Sequence, residues 1–416
     1  MPEKSDNVLH IHTLGCKVNF ADVQTVRARL RLDGAGPVAL VGTCCVTAEG
    51  EKQSRKEVRR SLRRVGGDGN VFVTGCAARL NPEQFSVLGG NVTVLTGEPE
   101  DVARTINEVA GGGRRRERDP GAAAARQRTR VFIKVQDGCA NRCAYCVIPQ
   151  VRGLPRSRRA EQVLAEAAAR VEEGYGELVI SGINVGAYRE GGRGLPALLE
   201  RTAALGGLKR LRLSSIETLH VNEELLMVMA ACPVFGSHLH IPLQSGADGV
   251  LAAMGRRYDT SLYAERLNLA RSLLPAVNIT TDVMVGFPGE SDAAFADTMS
   301  FVAEMGFSKI HVFPYSPRPG TAAAEMDGAV PAPVKKERGR RLRELSDRLG
   351  HVFRQRKRGL VDEILLEAAV EPGVYAGYSS DYTRYMVAGG SPGKTVRVFG
   401  ERVTGGAVWG KVAANE

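Results

Sequence analysis

No stretch of the chain approaches the roughly 18 consecutive apolar residues that a membrane-spanning helix requires. Its first residues, MPEKSDNVLH, do not have the basic-then-apolar layout of a secretory signal. These absences predict a cytoplasmic protein with no membrane partner. Acidic residues are in deficit: 46 aspartates and glutamates face 56 lysines and arginines, giving a net charge of +10. That excess favours a polyanionic partner over a neutral metabolite, although basic enzymes with small substrates are common. At 43% hydrophobic and 25% charged residues the composition is that of a globular protein, and 416 residues leave room for about three domains. The eight cysteines are poor candidates for structural disulfides in a cytosolic chain, so metal or catalytic roles move up.

Two composition breaks divide the chain into expected domains. GGGRRRERDPGAAAARQRTR, residues 111–130, has no apolar period and reads as a basic linker. A second break follows the basic run 335–358. Residues 1–110 alternate strand-like runs (8–14, 38–43, 70–75) with helical ones, which predicts an α/β domain with a parallel sheet. Residues 131–357 repeat strand then helix six times, with strands at 131–135, 177–181, 210–214, 238–243, 279–285 and 309–313. That pattern predicts a partial (β/α)6 barrel. Residues 358–416 hold short strands between Gly and Pro and predict a small antiparallel β-barrel of the oligonucleotide-binding (OB) type.

The strongest chemical signal is GCANRCAYC, Cys139-x3-Cys143-x2-Cys146, directly after the first barrel strand. Three thiolates bind a [4Fe–4S] cluster and leave one iron without a protein ligand. S-adenosylmethionine (SAM) can chelate that open iron, and an electron from the cluster then releases a 5′-deoxyadenosyl radical. A zinc site would want a fourth nearby Cys or His, and none follows. Three more cysteines, Cys16, Cys44 and Cys76, each end one of the first three strand-like runs. Ligands of a parallel sheet gather beyond its carboxyl edge, so these three are placed to converge. Cys45 neighbours Cys44, but an extended backbone sends adjacent side chains to opposite sides. Cys232, at a helix end, matches no motif and reads as structural.

QDGCANRCAYCVIPQVRG, TLGCKVNFAD, GTCCVT, VTGCAARLNP, IPLQSGAD, TDVMVGFPGES and KIHVFPYSPRPGT resemble the methylthiotransferase branch of the radical-SAM enzymes over nearly the whole chain. The resemblance implies two [4Fe–4S] clusters, the second on Cys16, Cys44 and Cys76, and a C-terminal RNA-binding TRAM barrel. The family usually has Asn-Thr-Cys where this chain has Gly42-Thr43-Cys44; Cys44 fits the register and Cys45 does not. For SAM the resemblance implies the loops after later strands: Gly182, Asn184, Ser215, Glu217, Gln244, Asp282 and Gly286. Each also has a plain reading as a turn glycine or a satisfied polar group.

Between Cys44 and residue 65 a helical stretch carries Lys52, Arg55, Lys56, Arg59, Arg60, Arg63 and Arg64 on one face. Val58, Leu62 and Val65 fall on the other. Basic stripes are often plain solvated faces, but seven like charges repel one another and make better sense against phosphates. Arg114–Arg130 and the 335–358 run extend this footprint, and Tyr378, Tyr382, Tyr385, Arg384 and Trp409 are candidates for stacking and phosphate contacts.

These readings combine in a tRNA methylthiotransferase that replaces an unactivated C–H of a base. One SAM supplies the methyl, a second the radical, and the N-terminal cluster carries sulfur. A low-potential donor such as a flavodoxin or ferredoxin is expected; the sulfur donor is not legible. Leu14-Gly15-Cys16-Lys17-Val18-Asn19, Val46-Thr47 and His311-Val312-Phe313-Pro314-Tyr315-Ser316 resemble the branch acting on threonylcarbamoyl-adenosine beside the anticodon, position 37. Lys17 offers a charge for its carboxylate, or is a solvated surface lysine. The alternatives are the branches acting on isopentenyl-adenosine tRNA or a ribosomal-protein aspartate, and a non-catalytic iron–sulfur RNA-binding protein.

Overall fold

The computed structural model describes residues 9–32, 35–111 and 129–413, so most of the 111–130 segment lies outside the described residues. Alternating apolar residues make strands buried on both faces of the first sheet. It consists of β1 (Leu9–Thr13), β2 (Val38–Thr43), β3 (Asn70–Gly75) and β4 (Val92–Val94), parallel and in sequence order. Leu40 and Phe72 pack against Val23 and Val26 of helix α1 (Lys17–Arg29) and Ile106. Val41 and Val73, on the other face, pack against Val58 and Val65 of helix α2 (Ala48–Val65). Thr47 caps α2 by accepting from the Gly50 N–H at 3.0 Å, and Glu49 and Glu51 stand in its first turn, favoured by the helix dipole.

The second unit runs β5 (Arg130–Asp137), β6 (Arg156–Ser157), β7 (Glu177–Gly182), the hairpin β8 (Arg189–Glu190) and β9 (Arg193–Gly194), β10 (Arg210–Leu213), β11 (His238–His240), β12 (Asn278–Val285) and β13 (Lys309–Pro314). β5, β7 and β10 are parallel to one another, as are β11, β12 and β13. The two groups are joined irregularly, by Leu211 N–H to Val234 (2.7 Å) and Ile216 N–H to His240 (2.9 Å). The six expected strands are all present and form an incomplete barrel. Ile133, Leu178, Ile180 and Leu211 point outward into the helical layer. Inward, Phe132 and Val179 pack against Phe20 and Ala21 of α1, so the N-terminal unit inserts a helix into the barrel's open side. No described helix is long and apolar enough to cross a membrane.

The last unit is a closed barrel of β14 (Val361–Glu371), β15 (Val374–Tyr378), β16 (Arg384–Ala388), β17 (Thr395–Thr404) and β18 (Ala407–Val412), ordered β14-β15-β16-β18-β17. It is not wholly antiparallel as expected, because β16 and β18 pair in parallel. Its loop at 379–382 plugs the floor of the incomplete barrel. Arg212 donates to the carbonyls of Ser379 (2.7 Å) and Ser380 (2.6 Å), Asn278 to that of Asp381 (2.7 Å), and Arg130 to the Tyr382 hydroxyl (2.7 Å). Glu177, 1% exposed, ties Arg130, Arg210 and Arg212 together.

Removing one partner from such a buried set leaves uncompensated charge, which costs about 3–5 kcal/mol. Glu177→Gln is therefore expected to loosen the C-terminal barrel, read as faster limited proteolysis at 356–360 and a lower melting temperature. Equal proteolysis rates in variant and wild type would contradict the plug.

Candidate metal centres

Cys16, Cys44 and Cys76 lie at the carboxyl ends of β1, β2 and β3, adjacent parallel strands. Cys16 is the N-cap of α1 and Cys76 begins the short helix α3 (Cys76–Leu80). Gly15, with φ +97°, lets the chain turn there; a side chain on it would meet the Cys44 sulfur at 3.2 Å. The Asn19 amide donates to the carbonyls of Leu14 (2.6 Å) and Thr43 (3.2 Å), and the Thr43 hydroxyl to that of Thr74 (2.6 Å), fastening the strand ends. Burial pushes the Cys44 thiol up to about 11. Cys76 is held down to about 6, first by a hydrogen bond from the Cys45 thiol, then by Arg152 against the effect of burial. Cys45 is wholly buried among Val41, Val58 and Val73. Three thiols at the ends of adjacent parallel strands, without disulfide bonds, suit an iron–sulfur cluster.

The second triad, Cys139, Cys143 and Cys146, occupies the loop after β5, each partly exposed. Gly138 has φ +73°, and a side chain on it would strike the Leu154 carbonyl at 2.1 Å. The loop is pinned by Cys139 N–H to Gly153 (3.0 Å) and Ala144 N–H to Met254 (2.9 Å). Sulfur atoms accept from the Asn141 N–H (3.4 Å to Cys139) and from Arg256 (3.2 Å to Cys143), and Arg256 is in turn paired with Glu217. N–H donors aimed at sulfur, with no fourth protein ligand among the described residues, fit a cluster with an open iron.

Arg152 links the first centre to the base of the loop that carries the second. Its Nε donates to the Cys76 sulfur at 3.2 Å, while Nη1 reaches Asp22 of α1 (2.9 Å) and Asp137 at the end of β5 (3.0 Å). Lys134 also pairs with Asp22 and Asp137. On the far side, Arg318 pairs with Glu51 and the Ala48 N–H donates to Ser316 (3.1 Å), so α2 is fixed to the loop after β13.

Of the expected SAM residues, Gly182 ends β7 and Asp282 lies within β12 and not in a loop, while the others follow barrel strands; they are not equally free. Ser215 is exposed and Asp282 partly so. The Asn184 N–H is held by Gln136 (2.8 Å), and Glu217 is committed to Arg256. Gln244 has φ +72° and exchanges backbone hydrogen bonds with Asp282 (2.8 Å) and Met284 (2.9 Å). Gly286 has its face covered by the stem of Lys335 and is a close-packing glycine. Lys17 is partly buried; burial, with Arg130 and Arg212 adding, lowers its pKa to about 8. Sequence reasoning missed Arg152, on the helix Ile148–Arg152, Arg256, in a loop, and Glu177, at the start of β7; for Glu177 alone the signal was available, charge recurring at inward strand positions as in RLRL.

The nucleic-acid expectations are partly corrected. On α2, Lys52 pairs with Glu49, Arg55 with Glu51 and Arg60 with Glu57, leaving Lys56, Arg59, Arg63 and Arg64 without an ion pair among the described residues. Arg130 is buried in the floor network. The 335–358 run lies in and just beyond a helix, Ala332–Gln355, where Arg338 is buried against Glu290 and Arg340 pairs with Glu337 and Glu344. Tyr385 is core, its hydroxyl donating to Asp362 (2.5 Å). Tyr382 packs on His238 and under Arg212, and Tyr378 on Tyr382. That leaves exposed Arg384, and Trp409 beneath Arg402. Cys232 is partly buried against the barrel core, as expected of a structural residue.

A barrel of this kind with a three-cysteine loop after its first strand defines a radical SAM enzyme, and a model described as the radical SAM superfamily matches residues 133–302. The chain belongs to the methylthiotransferase family of these enzymes. A second model, described as Uncharacterized protein family UPF0004, matches residues 8–97. The threonylcarbamoyladenosine tRNA methylthiotransferase MtaB of Bacillus subtilis is 36% identical, over 93% of this chain and 92% of that protein. The protein of the same name in Thermotoga maritima is 36% identical over 94% of both. The tRNA-2-methylthio-N(6)-dimethylallyladenosine synthase of Moorella thermoacetica is 31% identical over 98% of both. Among solved structures, the radical SAM methyltransferase TsrM of Kitasatospora setae, with cobalamin and a [4Fe–4S] cluster bound, shares the fold at a TM-score of 0.56 and 14% identity over 77% of this chain and 74% of that one. The cofactors are SAM and [4Fe–4S] iron.

Two triads each holding a four-iron cluster imply about eight irons per chain after anaerobic reconstitution. Replacing either triad by alanine is expected to halve the iron, and Cys45→Ala to keep it all, read by iron and sulfide analysis. Loss of a whole cluster in Cys45→Ala would reassign the ligand.

Proposed function

We propose that the protein is a tRNA methylthiotransferase that converts N6-threonylcarbamoyladenosine at position 37 to its 2-methylthio derivative in the cytoplasm. The observation that carries this reading is the 36% identity, across more than nine-tenths of both chains, to relatives named for that reaction. The relative named for the dimethylallyl substrate stands at 31%. Bound SAM and reduced iron supply the radical that an unactivated C–H bond requires.

The chain's own residues divide the remaining work. Cys139, Cys143 and Cys146 hold the catalytic cluster, with Arg256 setting positive charge beside it; Cys16, Cys44 and Cys76 hold the second, with Arg152 in the same role. Ser215, Gln244 and Asp282 face SAM, while Gly182 and Asn184 shape the loop after β7. Lys56, Arg59, Arg63 and Arg64, with Arg384 and Trp409 of the C-terminal barrel, meet the tRNA. A low-potential flavodoxin or ferredoxin delivers electrons.

Purified, reconstituted enzyme is expected to methylthiolate tRNA bearing threonylcarbamoyl-adenosine and not tRNA bearing isopentenyl-adenosine, read by nucleoside mass spectrometry. Reaction with the isopentenyl tRNA alone would overturn the substrate. Arg59→Glu with Arg63→Glu should weaken tRNA binding and flatten its salt dependence, the slope of log affinity against log salt falling by about 0.9 for each phosphate no longer neutralised. Unchanged affinity and slope would return α2 to a plain solvated face.

A further inference from the structure

Strands β11, β12 and β13 turn a polar face toward the barrel interior. Leu239, Ile279, Val283, Ile310 and Val312 point into the helical layer. His240, Asp282 and His311, at the alternate positions, therefore point the other way. The parallel register sets His311 directly beside Asp282, and His240 beside Thr280, two residues back along β12 on the same face. Three adjacent strands thus bring one group each to a single point. The donor atoms of the three side chains all lie within 4.8 Å of one another.

These groups have few other commitments. Among the described residues no lysine or arginine reaches the Asp282 carboxylate at ion-pair distance; its contact is His240, whose Nε2 lies 3.2 Å from Oδ1. Arg130 and Arg212 are paired with Glu177, and Lys17 senses the Asp282 charge without touching it. His311 makes no side-chain hydrogen bond among the described residues and meets His240 edge-on, with ring centroids 5.5 Å apart. The His240 ring is held from behind. Its Nδ1 stands 2.9 Å from the Thr280 hydroxyl, which is in turn 2.9 Å from His238 Nε2. A ring fixed through one nitrogen in this way presents the other to a metal.

Nitrogen and oxygen ligands bound at about 2.0–2.2 Å to one ion stand roughly 2.8–3.6 Å apart. The 3.2 Å between His240 and Asp282 already falls in that range. Closing the third side needs only a rotation of the His311 ring, which no hydrogen bond restrains. Two imidazoles and one carboxylate suit a divalent transition ion such as Mn²⁺ or Zn²⁺ better than Mg²⁺ or Ca²⁺, which favour oxygen. We propose that His240, Asp282 and His311 form a mononuclear divalent-metal site on the inner face of the barrel, separate from both cysteine triads. All three ligands come from the sheet, so the coordination positions on the lumen side stay open to oxygen atoms of a bound molecule. Asp282 also keeps its second oxygen for SAM, since only Oδ1 contacts His240.

The test uses full-length reconstituted enzyme, freed of non-cluster metal and kept oxidised so that both clusters are spin-silent. Mn²⁺ is the probe, because thiolates bind it poorly, and the loss of its free-ion resonance signal counts the bound ion. Wild type is expected to take up about one Mn²⁺ per chain, competed by Zn²⁺. His311→Ala and Asp282→Asn should each weaken that uptake by more than about tenfold while the cluster iron stays constant. Should Asp282→Asn fold poorly, His311→Ala decides alone, since that ring holds nothing else in place. Wild type that takes up neither Mn²⁺ nor Zn²⁺ overturns the site. Uptake that persists unchanged in His311→Ala assigns the ion elsewhere and also overturns it.

Discussion

Arg152 is the residue on which the seating of the first sheet against the barrel depends. Its guanidinium is 1% exposed and joins three parts of the chain: Asp22 on α1, Asp137 at the end of β5, and the Cys76 sulfur. A buried cation of this kind is tolerable only when fully paired. Charge-assisted bonds to two carboxylates and a sulfur meet that condition, and their geometry fixes where the first sheet sits on the barrel. Arg152 also follows Cys146 closely, on the helix Ile148–Arg152. The loop that presents one triad thus ends in the residue that touches the other, and neither centre shifts alone.

An incomplete barrel leaves an open side and an open floor, and both are filled by the flanking units. Phe20 and Ala21 cover Phe132 and Val179 from the side. The loop at 379–382 closes the floor through Arg212, Asn278 and Tyr382. The C-terminal barrel is therefore part of the wall of the incomplete barrel. Tyr378 and Tyr382 are spent on this packing, and Tyr385 on the core of the C-terminal barrel.

Most of the architecture was legible because hydrophobic periodicity and glycine placement report on it directly. The runs 38–43 and 70–75 are strands β2 and β3 to the residue. Cys16, Cys76 and Cys139 each follow a glycine of positive φ, so the Gly-Cys pairs mark sharp turns that present a thiol. What stayed hidden was the polar interior. RLRL reads as a half-exposed strand, yet Arg210 and Arg212 are 6% and 1% exposed, because they point into a lumen where charge is paired with Glu177. Sequence alternation separates two faces of a strand without saying that the polar face meets other protein. Tyr385 and Arg130, read as nucleic-acid contacts, were misassigned for that reason.

The central claim is that the Arg152 network, which reaches Cys76 directly and the stem of the Cys139 loop through Asp137, holds the two cysteine triads close to one another. Electron paramagnetic resonance of the fully reduced, reconstituted protein tests it most directly. Clusters held this way are expected to broaden one another's signals through spin–spin coupling, and the broadening should vanish when either triad is replaced by alanine. A wild-type spectrum equal to the sum of the two single-cluster spectra would contradict that proximity.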